Sequence, residues 1–365
     1  MSEWQTFCLK DLGKIVGGAT PPTNNPKNYG NKIAWITPKD LSTLQGRYIK
    51  KGSRSISRLG FKSCSCVLLP KHAILFSSRA PIGYVAIAEK RLCTNQGFKS
   101  IIPNKKIYFE FLYYLLKYHK DNISNIGGGT TFKEVSGATL GLFEVKIPPT
   151  YYEQQKIART LSILDQKIEN NHKINELLHT LAYKIYEYYF KYKPKNAKLE
   201  QIIIENPKSS IMVKNAQKTQ DKYPFFTSGD NILSYPKAII DGRNCFLNTG
   251  GNAGIKFYVG KASYSTDTWC ICANEFSDYL YLLLSSIKNH INQSFFQGTS
   301  LKHLQKNLLK KYPIYMPSAH EIKKFNQIMM PLLTLISINT RTSKKLEQIR
   351  DFLLPLLLKQ QVKPK

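Results

Sequence analysis

The chain contains itself twice, and that repetition limits what its 365 residues can fold into more than any other feature. A duplicated sequence builds two copies of one scaffold, so each motif in the first half has a counterpart to be sought in the second. Leu75-Phe76-Ser77-Ser78 leads into Gly83, as Phe246-Leu247-Asn248-Thr249 leads into Gly254. Phe111-Leu112-Tyr113-Tyr114-Leu115-Leu116 and Tyr279-Leu280-Tyr281-Leu282-Leu283-Leu284 both read as short buried helices. Gly129-Thr130-Thr131-Phe132 aligns with Gly298-Thr299-Ser300-Leu301, and Pro148 with Pro317, at an offset of 169. One residue is then lost, and Ile157, Leu164, Ile168 and Asn171 match Phe325, Leu332, Ile336 and Asn339 at an offset of 168. The fronts agree less. Trp35-Ile36-Thr37 with Asp40 resembles Phe225-Phe226-Thr227 with Asp230 at an offset of 190, so the second copy is shorter there. Shared tails and different fronts suit one scaffold carrying two specificities.

From about Tyr152 to Tyr192 the chain loses Gly and Pro and becomes periodic. Ile157, Leu161, Leu164, Ile168, Asn171, Asn175, Leu178, Ala182, Ile185 and Tyr189 form a heptad seam, and Pro194 closes the segment. A second seam, Phe325, Met329, Leu332, Ile336, Asn339, Ser343, Leu346, Leu353 and Leu357, lies in a helix expected from about Ala319 to Leu358. Such helices are roughly 60 Å long at about 1.5 Å per residue, and each must bury its seam, most naturally against the other. Asn171 and Asn339 stand at equivalent seam positions, where a polar residue either fixes register or occupies a partly solvated site. Pro331, where the first copy has Ile163, is expected to kink the second helix or break its first turns. Two globular modules joined by such helices make a ruler suited to a bipartite target along a duplex.

Charge narrows the partner. Lys and Arg number 53 against 24 Asp and Glu, a formal net charge of +29. That excess favours a polyanion through phosphate neutralisation and counterion release, although a Lys-rich proteome would also raise it. The basic residues are scattered rather than run together, which argues against a membrane surface. Phe352–Leu358 is too short to span a bilayer and contains Pro355, and Met1–Leu12 is too polar for a signal peptide. The seven cysteines are dispersed, and Cys64-Ser65-Cys66 and Cys270-Ile271-Cys272 have the wrong spacing for a zinc knuckle or a redox pair. Reduced thiols in a cytoplasm, with no metal, are the expectation.

Several segments together resemble a known family. They are Gly17-Gly18-Ala19-Thr20-Pro21, Trp35-Ile36-Thr37-Pro38-Lys39-Asp40-Leu41, Arg79-Ala80-Pro81-Ile82-Gly83, Thr94-Asn95-Gln96-Gly97-Phe98, and Ile147-Pro148-Pro149 followed by Glu153-Gln154-Gln155-Lys156-Ile157-Ala158 and Leu164-Asp165. They are similar to the specificity subunits of Type I restriction–modification systems. The likeness spans the chain, although the second junction keeps only Pro317 and Glu321 of its motif. The resemblance implies an α/β (α+β) fold: target recognition domains at 1–150 and 194–318, with small mixed sheets, and helical spacers at 151–193 and 319–365 forming an antiparallel coiled coil. It also implies double-stranded DNA as target, each domain reading one half of a split sequence while the helices set the unread spacer. Two methyltransferase subunits and translocating endonuclease subunits are the implied partners. Adenine methylation and S-adenosylmethionine binding belong to the methyltransferase, and no cofactor to this chain.

Phosphate contacts position such a protein and base-edge contacts specify sequence. Candidate DNA-binding residues are Lys39, Arg54, Arg58, Arg79, Lys99, Thr130 and Lys133 in the first half. In the second they are Lys214, Lys222, Lys237, Arg243, Asn248, Lys256, Thr299 and Lys302. Any one of the charges could equally be a solvated surface group, and the Gly-Thr pairs could be structural turns. Arg79 stands in a Pro/Gly loop after an expected strand, as a guanine reader would, and its counterpart is Gly250. Catalysis is not expected. Pro148-Pro149-Thr150-Tyr151 lacks the polar residue and adjacent aromatic of an adenine-methyltransferase loop, and carboxylates are sparse. Gly127-Gly128-Gly129 and Gly250-Gly251-Asn252-Ala253-Gly254 make no nucleotide-binding fingerprint. The alternatives are a related system with cleavage and methylation in one polypeptide, and a non-enzymatic RNA-binding or coiled-coil adaptor, although no RNA-recognition signature is present.

Overall fold

The computed structural model describes residues 3–129, 133–216 and 222–364. The chain divides into two compact units, 1–169 with 346–365, and 170–345. The division falls inside both long helices, Tyr151–Tyr186 and Ala319–Leu358.

The first unit holds a mixed five-stranded sheet in the order Gly13–Gly17, Lys99–Pro103, Ile74–Phe76, Val85–Ala88 and Tyr48–Ile49, the last pair parallel. A three-stranded sheet, Arg54–Ile56, Tyr29–Ile36 and Cys93–Thr94, accompanies it, and Gln5–Cys8 pairs with Glu144–Ile147. The second unit repeats the plan. Its four-stranded sheet runs Ile204–Glu205, Thr268–Cys272, Arg243–Asn248 and Ile255–Val259, beside Leu233–Tyr235, Tyr223–Phe226 and Ser263–Tyr264. Ala197–Lys198 pairs with Pro313–Ile314. The weak match at an offset of 190 is real: Trp35 and Ile36 pair in parallel with Cys93 and Thr94, as Phe225 and Phe226 do with Ser263 and Tyr264. The difference in length lies in residues 37–73 against 227–242, where only the first unit has the strand Tyr48–Ile49 and the helices Pro38–Ser42 and Arg58–Lys62.

The two aromatic–aliphatic segments fall in helices Phe109–Asn125 and Ser277–Ser286. Both segments are buried throughout because they are covered on two sides. The first packs in one core with Ile74, Phe76, Ile87 and Ile101 of the sheet and with Ile157, Ala158 and Leu161 of its long helix. The second does so with Cys245, Leu247 and Ile271 and with Phe325, Met329 and Leu333.

Each long helix begins at a hydroxyl cap, which Glu321 completes as a capping box in the second. Glu153 N–H donates to Thr150 Oγ1 at 3.2 Å, and Glu321 N–H to Ser318 Oγ at 3.4 Å. Ser318 N–H and Tyr315 O–H in turn donate to the Glu321 carboxylate. These backbone and side-chain bonds hold that carboxyl down at about 2, and satisfy amide groups that the first turn leaves unpaired. The first helix passes into a π-type turn at Glu187–Lys191 before the chain leaves it. The second runs unbroken through Pro331, contrary to expectation. Pro331 is on its exposed face, so the carbonyl that loses its internal partner can turn to water.

The seam predicted from the heptads is the one that pairs. In the second unit the helices run antiparallel, with Asn171 Nδ2 donating to Ser343 Oγ at 3.1 Å and Asn339 Nδ2 to Asn175 Oδ1 at 2.9 Å. At the 168-residue offset Asn171 becomes Asn339 and Asn175 becomes Ser343, so these bonds are one contact made twice. In the first unit Arg350 pairs with Asp165 at 2.7 Å, and Tyr114 O–H donates to the same carboxylate at 2.5 Å. The counterparts of Tyr114, Asp165 and Arg350 are Leu282, Leu333 and Ala182, all buried. One copy thus seals this junction with charge, the other with hydrocarbon.

Candidate nucleic-acid interface

A loop and a hairpin meet in the same way in both copies. Val135 N–H donates to Ser78 O at 3.0 Å, and its counterpart Leu304 to Thr249 O at 3.0 Å. Ser78 N–H reaches Gly97 O at 2.8 Å, and Thr249 N–H reaches Asp267 O at 3.1 Å. The loops are held from within, since Ser77 Oγ donates to Pro81 O at 2.8 Å and Asn248 Nδ2 to Asn252 O at 3.1 Å. Gly254 is required because a Cβ there would collide with the Asn248 amide. In the hairpin, Gly128 bridges Glu134 as Gln297 pairs with His303. Gly129 and Gly298 take φ of +118° and +140°, a backbone that side chains resist, which explains the glycine in each Gly-Thr pair. Thr299 is exposed beyond it, and Thr130 lies outside the described residues.

Within this frame Arg79, Lys99 and the hairpin come together. Glu134 lies 3.4 Å from Arg79 Nη1 and 3.3 Å from Lys99 Nζ, with Lys133 exposed beside it. Lys39 and Arg58 are exposed in the first unit's extra helices, where Asp40 organises the turn by accepting from Thr37 and Ser53 N–H groups. Burial works against that carboxylate's charge, but these hydrogen bonds outweigh it and keep its pKa below the usual value. Arg54 is exposed with its guanidinium 4.0 Å over the Tyr29 ring. Lys214, Lys222, Lys237 and Lys302 are exposed in the second unit, and Lys302 contributes a carbonyl to Gly251 N–H.

Three expected DNA-binding residues are instead taken up within their module. Arg243 makes a two-pronged ion pair with buried Asp278, both contacts at 2.6 Å, and donates to Thr334 Oγ1 and Met330 O of the long helix. It thereby repeats what Arg47 does in the first copy, joining Glu110 at the start of the buried helix to Glu169 of the long helix. Asn248 is buried as the loop's internal brace. Lys256 donates to Thr227 O at 2.8 Å and to Asn248 Oδ1 at 3.2 Å, and burial lowers its pKa. Arg47, Glu110 and Glu134 escaped sequence reasoning. For Glu134 a signal existed: the 169-residue offset sets it against His303, as the 171-residue offset of the preceding loop sets Arg79 against Gly250.

Among the described residues no group of His, Cys, Asp or Glu is placed to hold a metal ion, and the seven cysteines are free thiols. No helix there is long and apolar enough to cross a membrane.

The fold and its paired loops define a class: a chain carrying one α+β module twice, each copy packed on a pair of long helices. A family model described as the Type I restriction modification DNA specificity domain matches residues 1–180 and again 195–348. The chain belongs to the family of Type I restriction–modification specificity subunits. It is 32% identical over 403 residues to the Type I restriction enzyme MjaIX specificity subunit of Methanocaldococcus jannaschii, covering 98% of this chain and 93% of that one. It is 30% identical over 177 residues to the HindI specificity subunit of Haemophilus influenzae, covering 46% of this chain and 37% of the relative. The crystal structure of a Type I S subunit from M. genitalium shares the fold, with a TM-score of 0.63 at 18% identity over 97% and 96% of the two chains.

Proposed function

We propose that each module reads one half of a split double-stranded DNA sequence, and that the chain directs adenine methylation and restriction performed by partner subunits. The observation that carries this reading is the family match, made once over each copy of the module. Residues 1–150 and 194–318 are assigned as the recognition domains, and 151–193 and 319–365 as the helical spacers. Lys39, Arg54, Arg58, Lys133, Lys214, Lys222, Lys237 and Lys302 are assigned to phosphates because all are exposed. The hydroxyl of Thr299 joins them, and so, by equivalence, does Thr130. Arg79 is assigned to a guanine edge, with Lys99 behind it. Arg243, Asn248 and Lys256 are reassigned to holding the second module together.

The chain itself performs no chemical step in this proposal, and works in the cytoplasm with the DNA. Methyltransferase subunits, and through them endonuclease subunits, are its partners. An apolar line on the first long helix supports partner docking: Ile174, Leu177 and Leu181 are 42%, 71% and 49% exposed, and Tyr188 in the π-type turn beyond them is 86% exposed. Filter binding of duplex DNA against RNA, titrated with salt, tests the proposal. Duplex DNA should bind preferentially, with log affinity falling linearly as log salt rises. RNA competing equally well would overturn it.

A further inference from the structure

We propose that Glu134 is the positioning residue that aims Arg79 at its base, and that this pair makes the half-site read by the first module differ from the other. The inference rests on the DNA-reading function proposed above. It starts from the sameness of the frame. Val135 to Ser78 and Leu304 to Thr249 are the same backbone bond, as are Ser78 to Gly97 and Thr249 to Asp267. Matching positions in the two copies therefore occupy the same place in each module, and only the side chains there distinguish them. In the first copy these are Arg79, Lys99 and Glu134; in the second they are Gly250, Trp269 and His303.

The geometry gives the three charges different jobs. Lys99 opens a strand of the five-stranded sheet and is the least exposed, its side chain at 21%. It anchors one oxygen of Glu134 from the sheet side. The other oxygen takes one nitrogen of Arg79, a flexible side chain on a loop, 36% exposed. Among the described residues only Glu134 engages the guanidinium, through one of its five N–H donors, which leaves the fork that guanine accepts. A reader held before the duplex arrives meets its base without first losing its freedom of motion. In the second copy Gly250 supplies no side chain and Trp269 is buried, donating its indole N–H to Glu205 at 2.8 Å. None of these three positions in the second copy carries an arginine.

The full chain, co-expressed with its methyltransferase partner, would be used to select from a pool of random-sequence DNA duplexes. Wild type would be compared with Arg79→Ala, Glu134→Ala and Glu134→Gln. The proposal expects wild type to enrich a split sequence, and Arg79→Ala to cut discrimination at one base pair by about ten-fold or more. Glu134→Ala should cut it at that same base pair, leaving the rest of that half-site and the whole of the other unchanged. Glu134→Gln, whose amide oxygen still accepts from the guanidinium, should keep part of it. If the alanine variant fails to fold, the isosteric glutamine decides. Equal weakening at every position, or an unchanged profile in the Glu134 variants, would overturn the positioning role while the DNA reading stands. A wild type that enriches no split sequence would overturn both.

Discussion

At the scale of single residues, exposure separates two kinds of cation that the amino-acid order leaves alike. Lys302 is exposed beside the second hairpin, whereas Arg243 spends its guanidinium on a carboxylate that is 1% exposed. Lys302→Ala should weaken binding to all duplexes alike and lower the slope of log affinity against log salt by about 1, with thermal stability unchanged. Arg243→Ala should instead destabilise the fold, by about 3–5 kcal/mol in urea denaturation, because Asp278 is left buried without its counter-charge. A large loss of stability in the first, or none in the second, would reverse these assignments. Sequence reasoning placed both in one set because an arginine advertises its charge, not the acid it will meet. Asp278 lies 35 residues further on, at the head of a buried helix, and only the fold joins them.

At the scale of elements, the two copies offer their own controls. Arg350→Ala alone in the first unit leaves buried Asp165 without its counter-charge and should cost about 3–5 kcal/mol, whereas Asp165→Leu should cost less because Arg350 keeps its pairing with Asp351. Tyr114→Leu, Asp165→Leu and Arg350→Ala together copy the residues that the second unit uses at this junction. The triple variant should recover most of that loss, as measured by denaturant midpoints, and additive losses would show that the two junctions are not interchangeable. The cap at Glu321 has a pH signature. Its folded pKa, about 2, lies below the ordinary 4.5, so its contribution is full above pH 4.5 and lost as pH falls toward 2. Glu321→Gln should flatten that part of the stability profile, and an unchanged profile would mean that other carboxylates dominate it. The long helices were legible because a seam sustained for many turns leaves little choice of structure. Pro331 was misread because local sequence shows the lost hydrogen bond but not that its carbonyl faces water.

At the scale of the whole molecule, duplication was visible from the sequence where helices and turns repeat. It was faint where the fronts differ, since an insertion in residues 37–73 shifts the offset without changing which strands pair in parallel. The candidate site was only half legible: its cations and Gly-Thr turns stand out, while the shared backbone frame that makes positions comparable is a property of the fold. A chain with two such modules, bearing different side chains in one frame, should specify two different words in one target. Methylome sequencing of the host with and without this gene, under conditions where the partner methyltransferase is expressed, tests that most directly. Loss of one split, asymmetric, adenine-methylated motif is the predicted result. Loss of no motif, or of a continuous palindrome, would contradict it.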